Sequence, residues 1–117
     1  PQAAGLRRGI RASALSAAAA SLTSVSFAPG GGRPLELFSD PDESVFVGVG
    51  TRLWPAAEPL ARYLLRDLLL AVDAGLRLSM VELGAGVGAV GLWLWQALLG
   101  RLHLCLTDVP RLCPLLQ

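Results

Sequence analysis

The sequence predicts an α/β fold in which parallel strands are joined by helices. Three observations carry this reading. An apolar stretch from Leu78 to Leu83 runs straight into the glycine-rich turn Gly84-Ala85-Gly86-Val87-Gly88, and an apolar helix follows. A second apolar stretch, Leu102 to Thr107, comes after that helix and closes on Asp108. An amphipathic segment from Trp54 to Asp73 precedes both. Parallel strands covered by helices on both faces read as continuous apolar runs, and both stretches do.

Composition narrows the classes. The chain has 117 residues, enough for one small domain at most. A hydrophobic fraction of 53% supports a core and excludes disorder by composition. A net charge of +1 gives no electrostatic case for nucleic acid. Every basic residue other than His103 is arginine, and lysine is absent. No apolar run reaches the ~20 residues of a membrane span. The longest, Val87 to Leu99, is interrupted by Gln96. Cys105 and Cys113 show no metal spacing and form no disulfide framework; Cys105 is expected to be buried in its strand. The chain begins at Pro1 and stops just past the second strand, so it is expected to be a fragment or a truncated product.

The elements follow in order. Residues 1–34 hold Arg7, Arg8, Arg11 and Arg33, with no acid before Glu36. Alanine and serine fill most of the rest. That composition fits a transit peptide or a disordered leader. Ala14 to Leu22 is a candidate short helix, and Pro29 to Pro34 reads as a linker. The folded part is expected to run over 35–117. Leu35 to Phe38 and Ser44 to Val49 read as strands around the turn Ser39-Asp40-Pro41-Asp42.

Trp54 to Asp73 reads as a helix, with Ala57, Leu60, Ala61, Leu64, Leu65, Leu68 and Val72 on one face. Glu58 and Arg62 have the spacing of a helical ion pair. Pro55 and Pro59 are tolerated only near its start, and Gly75 ends it. Leu78 to Leu83 is the first parallel strand. Gly88 to Leu99 is the next helix, with Gly100 as its C-terminal cap. Trp93 and Trp95 cannot share one face, so one is expected to pack and the other to be partly exposed. Tyr63 and His103 read as packing residues. Leu102 to Thr107 is the second strand, expected beside the first through a right-handed crossover.

The glycine turn carries the chemistry. Glycines let backbone approach a ligand closely, and the helix N-terminus behind them offers free N–H groups, as in a Rossmann-like nucleoside site. Gly84, Ala85 and Gly86 are the candidate loop residues. Glu82 sits just before them. A carboxylate there disfavours a pyrophosphate and favours the sulfonium and ammonium of S-adenosylmethionine (SAM). Asp108, at the end of the second strand, can accept both hydroxyls of a ribose. Gly84 to Ala89 also satisfies the dinucleotide pattern G-x-G-x-x-A, so an NAD(P)-binding oxidoreductase is an alternative. Glu82 and the helix ahead of the first strand argue against it.

From Gly48 onward the chain resembles the seven-strand class I methyltransferases, and most of all their protein-lysine methyltransferase group. The resemblance rests on Leu53-Trp54-Pro55-Ala56-Ala57 with Leu60-Ala61-Arg62-Tyr63-Leu64, on Glu82 to Gly88 followed by Ala89-Val90-Gly91-Leu92, and on Leu106-Thr107-Asp108. It implies an incomplete class I methyltransferase fold: the first two central strands, the preceding helix and an N-terminal β-hairpin. It implies SAM as cofactor, a lysine side chain of a protein as substrate, and a cytoplasmic or nuclear location, or an organellar one if residues 1–34 are a transit peptide. Trp54 matches a tryptophan that lines the family's cofactor pocket. The family's acidic–x–x–aromatic motif falls beyond Gln117, so no catalytic residue is identified. The chain alone is expected to be inactive. A non-catalytic binding module is the other reading.

Overall fold

Two small sheets and two helices make up the described part of the chain, residues 22–46 and 48–116 of a computed structural model. The first sheet is an antiparallel hairpin. Strand β1 (Thr23–Phe27) pairs with β2 (Leu35–Ser39), with Thr23 opposite Ser39 and Phe27 opposite Leu35. Phe27 and Leu37 point inward and are buried. The Phe27 ring meets Trp93 edge-on, with centroids 6.4 Å apart.

This hairpin corrects two expectations. Strand β1 lies inside the stretch read as a leader, so ordered structure is present from Thr23, and Pro29 to Pro34 belongs to the hairpin loop. Its partner is not the 44–49 segment, whose described residues make bends and the start of a short 3-10 turn (Val49–Thr51). The reason is Asp40. Its carboxylate takes the N–H groups of Ser44, Val45 and Phe46, which a ladder would need. Residues 1–21, with all of the candidate helix except Leu22, lie outside the described residues; Leu22 sits in a bend.

The second sheet is parallel. Strands β3 (Leu78–Leu83) and β4 (Leu102–Thr107) pair in register from Leu78 beside Leu102 to Leu83 beside Thr107. Helix α1 (Ala57–Asp73) precedes them and α2 (Ala89–Ala97) joins them. The strand, glycine turn, helix and strand thus fall where the apolar pattern puts them. Cover on both faces does not. Leu78, Met80, Leu102 and Leu104 pack with the core, whereas Ser79, Val81, Leu83, His103 and Cys105 are exposed. Among the described residues, only one face has helices on it. Cys105 and His103 are therefore not core residues. Tyr63 is also exposed, with the Arg66 guanidinium over its ring.

Helix α1 starts at Ala57 rather than Trp54, and Pro59 falls in its first turn, where a missing N–H costs nothing. Ala61 and Val72 are buried; Leu64, Leu65 and Leu68 pack beside them, and Leu60 is half exposed. The expected Glu58–Arg62 pair is not formed: the single ion pair among the described residues is Arg66–Asp67. The helix closes as Gly75 and Leu76 donate to the carbonyls of Val72 and Ala71, a Schellman turn. The end of α2 repeats the pattern with Leu99 and Gly100 donating to Gln96 and Trp95. Leu99, not Gly100, holds the first left-handed position there, at φ 53°. Trp93 is buried and Trp95 half exposed, as the spacing requires.

Candidate cofactor site

The C-terminal ends of β3 and β4 converge on the glycine turn. Ala85 donates to the Thr107 carbonyl at 2.9 Å, so the turn is tied to the end of β4. Gly84 has φ 65°, and a Cβ built on it would meet nothing within 4 Å. Its backbone therefore faces open space, and only glycine adopts this handedness without strain. Gly86 has φ 56°, and its Cβ would lie 2.9 Å from the Gly50 carbonyl oxygen. Two glycine backbones touch there.

Each candidate carboxylate has a backbone partner. Asp108 accepts the Gly86 N–H at Oδ2 and the Val109 N–H at Oδ1, both at 2.7 Å. Glu82 is half-buried and accepts the Gly91 N–H at 2.9 Å. That N–H belongs to the first turn of α2, where donors lack helical partners. Burial pushes the Glu82 carboxyl up from its ordinary value, and the Gly91 bond opposes the rise. Gly91 has no room for a side chain: a Cβ would collide with Glu82 Oε2 and come within 2.6 Å of Leu106.

Trp54 stands at the rim. Its ring is half exposed, and its indole N–H donates to the Val49 carbonyl at 2.8 Å. Trp54, Glu82, Gly84, Ala85 and Gly86 share one cavity of about 180 Å³, walled on the other side by Val49 and Gly50. Asp108 is not among its walls; it stands behind Gly86, joined by the hydrogen bond just described. The structure thus brings five of the six candidates to one cavity and links the sixth. Carboxylates stand at both strand ends, and open backbone faces out at Gly84. The volume is below the ~300–1,000 Å³ of typical ligand pockets. Larger cavities lie elsewhere, one of about 750 Å³ beside Arg77 and Arg101 at the opposite strand ends, but none of the candidates lines it. Among the described residues, no cluster of His, Cys, Asp or Glu could hold a metal ion.

Two features escaped sequence reasoning. Gly50 is a wall of the cavity, signalled only by the Gly48-Val49-Gly50 spacing ahead of Trp54. Asp40, 2% exposed, organises the segment leading to it. Burial would raise its carboxyl, but bonds from Phe46, the Ser44 hydroxyl, Val45 and the Ser44 N–H overcome this and hold it at about 2. Within Ser39-Asp40-Pro41-Asp42 it looks like any turn aspartate.

A family model described as lysine methyltransferase matches residues 36–117. No curated protein and no solved structure matches the chain.

Proposed function

The chain belongs to the lysine methyltransferase family, enzymes that in general use SAM, and we propose that its cavity at the ends of β3 and β4 is the SAM site of a Rossmann-like, class I methyltransferase domain acting on protein lysines. The observation that carries this is the meeting of Trp54, Glu82, Gly84, Ala85 and Gly86 on one cavity, outside the carboxyl ends of two parallel strands. That is where open α/β sheets bind ligands.

Each residue has a task there. Gly84 exposes backbone to the ligand without side-chain bulk. Glu82 places negative charge next to the loop and anchors α2 through Gly91. Asp108 fixes Gly86 and supplies carboxylate oxygens suited to ribose hydroxyls. Trp54 offers an apolar wall that keeps water from the ligand. SAM, when bound, supplies a methyl group activated by its sulfonium. The acceptor is a lysine amine of a protein substrate, as the family implies.

Calorimetric titration of the chain with SAM and with NAD tests the proposal. SAM is expected to bind more tightly. Tighter binding of NAD, or no SAM binding at millimolar concentration, would overturn it. Transfer of labelled methyl to a lysine-containing peptide, by a protein extended beyond Gln117 through the family's acidic–x–x–aromatic motif, is a second test.

A further inference from the structure

We propose that the segment from Gly48 to Arg52 is a strap that closes the SAM site and must lift before the cofactor enters. The inference rests on the SAM reading above. It starts from the contact between Gly50 and Gly86. A Cβ on Gly50 would lie 2.7 Å from Leu112 and 3.3 Å from the Gly86 Cα. One on Gly86 would lie 2.9 Å from the Gly50 oxygen. Only a pair of glycines allows this approach, and it puts the strap in front of Gly86 and the Asp108 carboxylate.

The contact leaves too little room. The cavity between strap and glycine turn is about 180 Å³, short of the ~300 Å³ at which ligand pockets begin. Both Asp108 oxygens are already engaged, by Gly86 and Val109. Each oxygen keeps a lone pair for a ribose hydroxyl, and Gly50 stands over them: a Cβ on it would lie 3.7 Å from Asp108 Oδ2.

The strap is held by more bonds at its base than at its tip. The Thr51 carbonyl accepts the Asp40 N–H at 2.7 Å and the Ser39 hydroxyl at 3.0 Å. The Thr51 N–H and hydroxyl both donate to the Gly48 carbonyl, at 3.2 and 2.9 Å. At the tip, Val49 is 75% exposed and bonds only with Trp54. Among the described residues, no hydrogen bond joins the strap to the glycine turn. Gly48, at φ 129°, supplies a joint that other residues rarely adopt. Lifting the tip breaks van der Waals contacts and the Trp54–Val49 hydrogen bond, and it turns the chain at the base, where the Ser39 and Thr51 bonds resist the movement.

The closed form then lowers apparent affinity by the fraction of molecules that are open. Ser39 and Thr51 hold the base without lining the cavity. Weakening either should raise the open fraction. The experiment is stopped-flow tryptophan fluorescence of SAM binding to the full chain, as wild type, Ser39→Ala and Thr51→Val. Each variant is expected to associate about two- to tenfold faster and to bind correspondingly tighter, the scale of one neutral hydrogen bond. A strap that is only a wall predicts unchanged or weaker binding in these variants, which would overturn the proposal. Amide NMR of the wild type gives a measurement free of any folding defect. On adding SAM, Gly50 and Gly86 should shift together; a shift of Gly86 with Gly50 unmoved would overturn the strap while leaving the SAM site standing. Absence of SAM binding in all three proteins would bring down the SAM reading and the strap with it.

Discussion

The hairpin-and-strap region, residues 22–54, and the strand–helix–strand region, residues 78–107, solve the same problem differently. In the second, backbone groups are satisfied by repetition: ladder bonds between β3 and β4, and helical bonds in α2. In the first, beyond the short β1–β2 ladder, Asp40 alone satisfies the N–H groups of Ser44, Val45 and Phe46. Repetition spreads specification over many residues. A single carboxylate concentrates it in one.

The two regions meet at Trp93, which packs against Phe27 from within α2. Removing it should have the largest effect. Trp93→Ala is expected to cost about 3–5 kcal/mol, the range for large aromatic truncations in a core. Denaturant unfolding checks the value. Limited proteolysis should then cut the hairpin first; equal protection of both regions would place their coupling elsewhere.

Asp40→Ala should damage the strap region and spare the parallel sheet. Amide exchange at Val45 and Phe46 is expected to rise about ten- to a hundredfold, with little change at Val81 or Leu104. Acid should mimic the mutation. The folded carboxyl titrates at about 2 against an ordinary 3.8, so its stabilisation is whole above the ordinary value and drains away as pH falls toward about 2. Glu82 has the opposite sign. Its raised value means that its contribution is present below the ordinary 4.5 and is lost as pH rises through the folded value. Glu82→Gln keeps an acceptor for Gly91 and should leave thermal stability at neutral pH equal or slightly higher.

Asp108→Ala should weaken SAM binding by roughly 1–3 kcal/mol, the scale for hydrogen bonds to a charged group. Asp108→Asn retains an acceptor for Gly86 and should lose less. Calorimetry on folded proteins separates them; unchanged affinity in both would make Asp108 a turn residue only. The smallest expected effect is a gain. Leu99 is 85% exposed yet held at φ 53°. Leu99→Gly should stabilise by up to about 1 kcal/mol by relieving that conformation, read as a rise in Tm.

The same contrast explains what the sequence made legible. The β3–turn–α2–β4 order could be read because apolar runs and glycines repeat at the spacing the backbone needs. The places of Glu82, the glycine turn and Asp108 in the fold could be read because they stand at the ends of those runs. The hairpin was misassigned because Thr23 to Phe27 alternates small polar residues with Val25 and Phe27 in a stretch dominated by arginine, alanine and serine. Its burial depends on Trp93, some seventy residues away. Ser44 to Val49 has β-branched residues at Val45, Val47 and Val49, yet Asp40 overrides that preference. The exposure of Cys105 and His103 was hidden for a related reason: an apolar run does not say how many of its faces are covered.

That uncovered face has a thermodynamic consequence. Unfolding exposes new apolar area chiefly from one side of the β3–β4 sheet, because Val81 and Leu83 already contact water at 62% and 81% exposure. Heat capacity change and denaturant m-value both scale with newly exposed surface. Both should therefore fall below the values usual for this chain length, giving a shallow stability curve and a broad transition. Any polypeptide that settles on that face would announce itself calorimetrically, by steepening the curve.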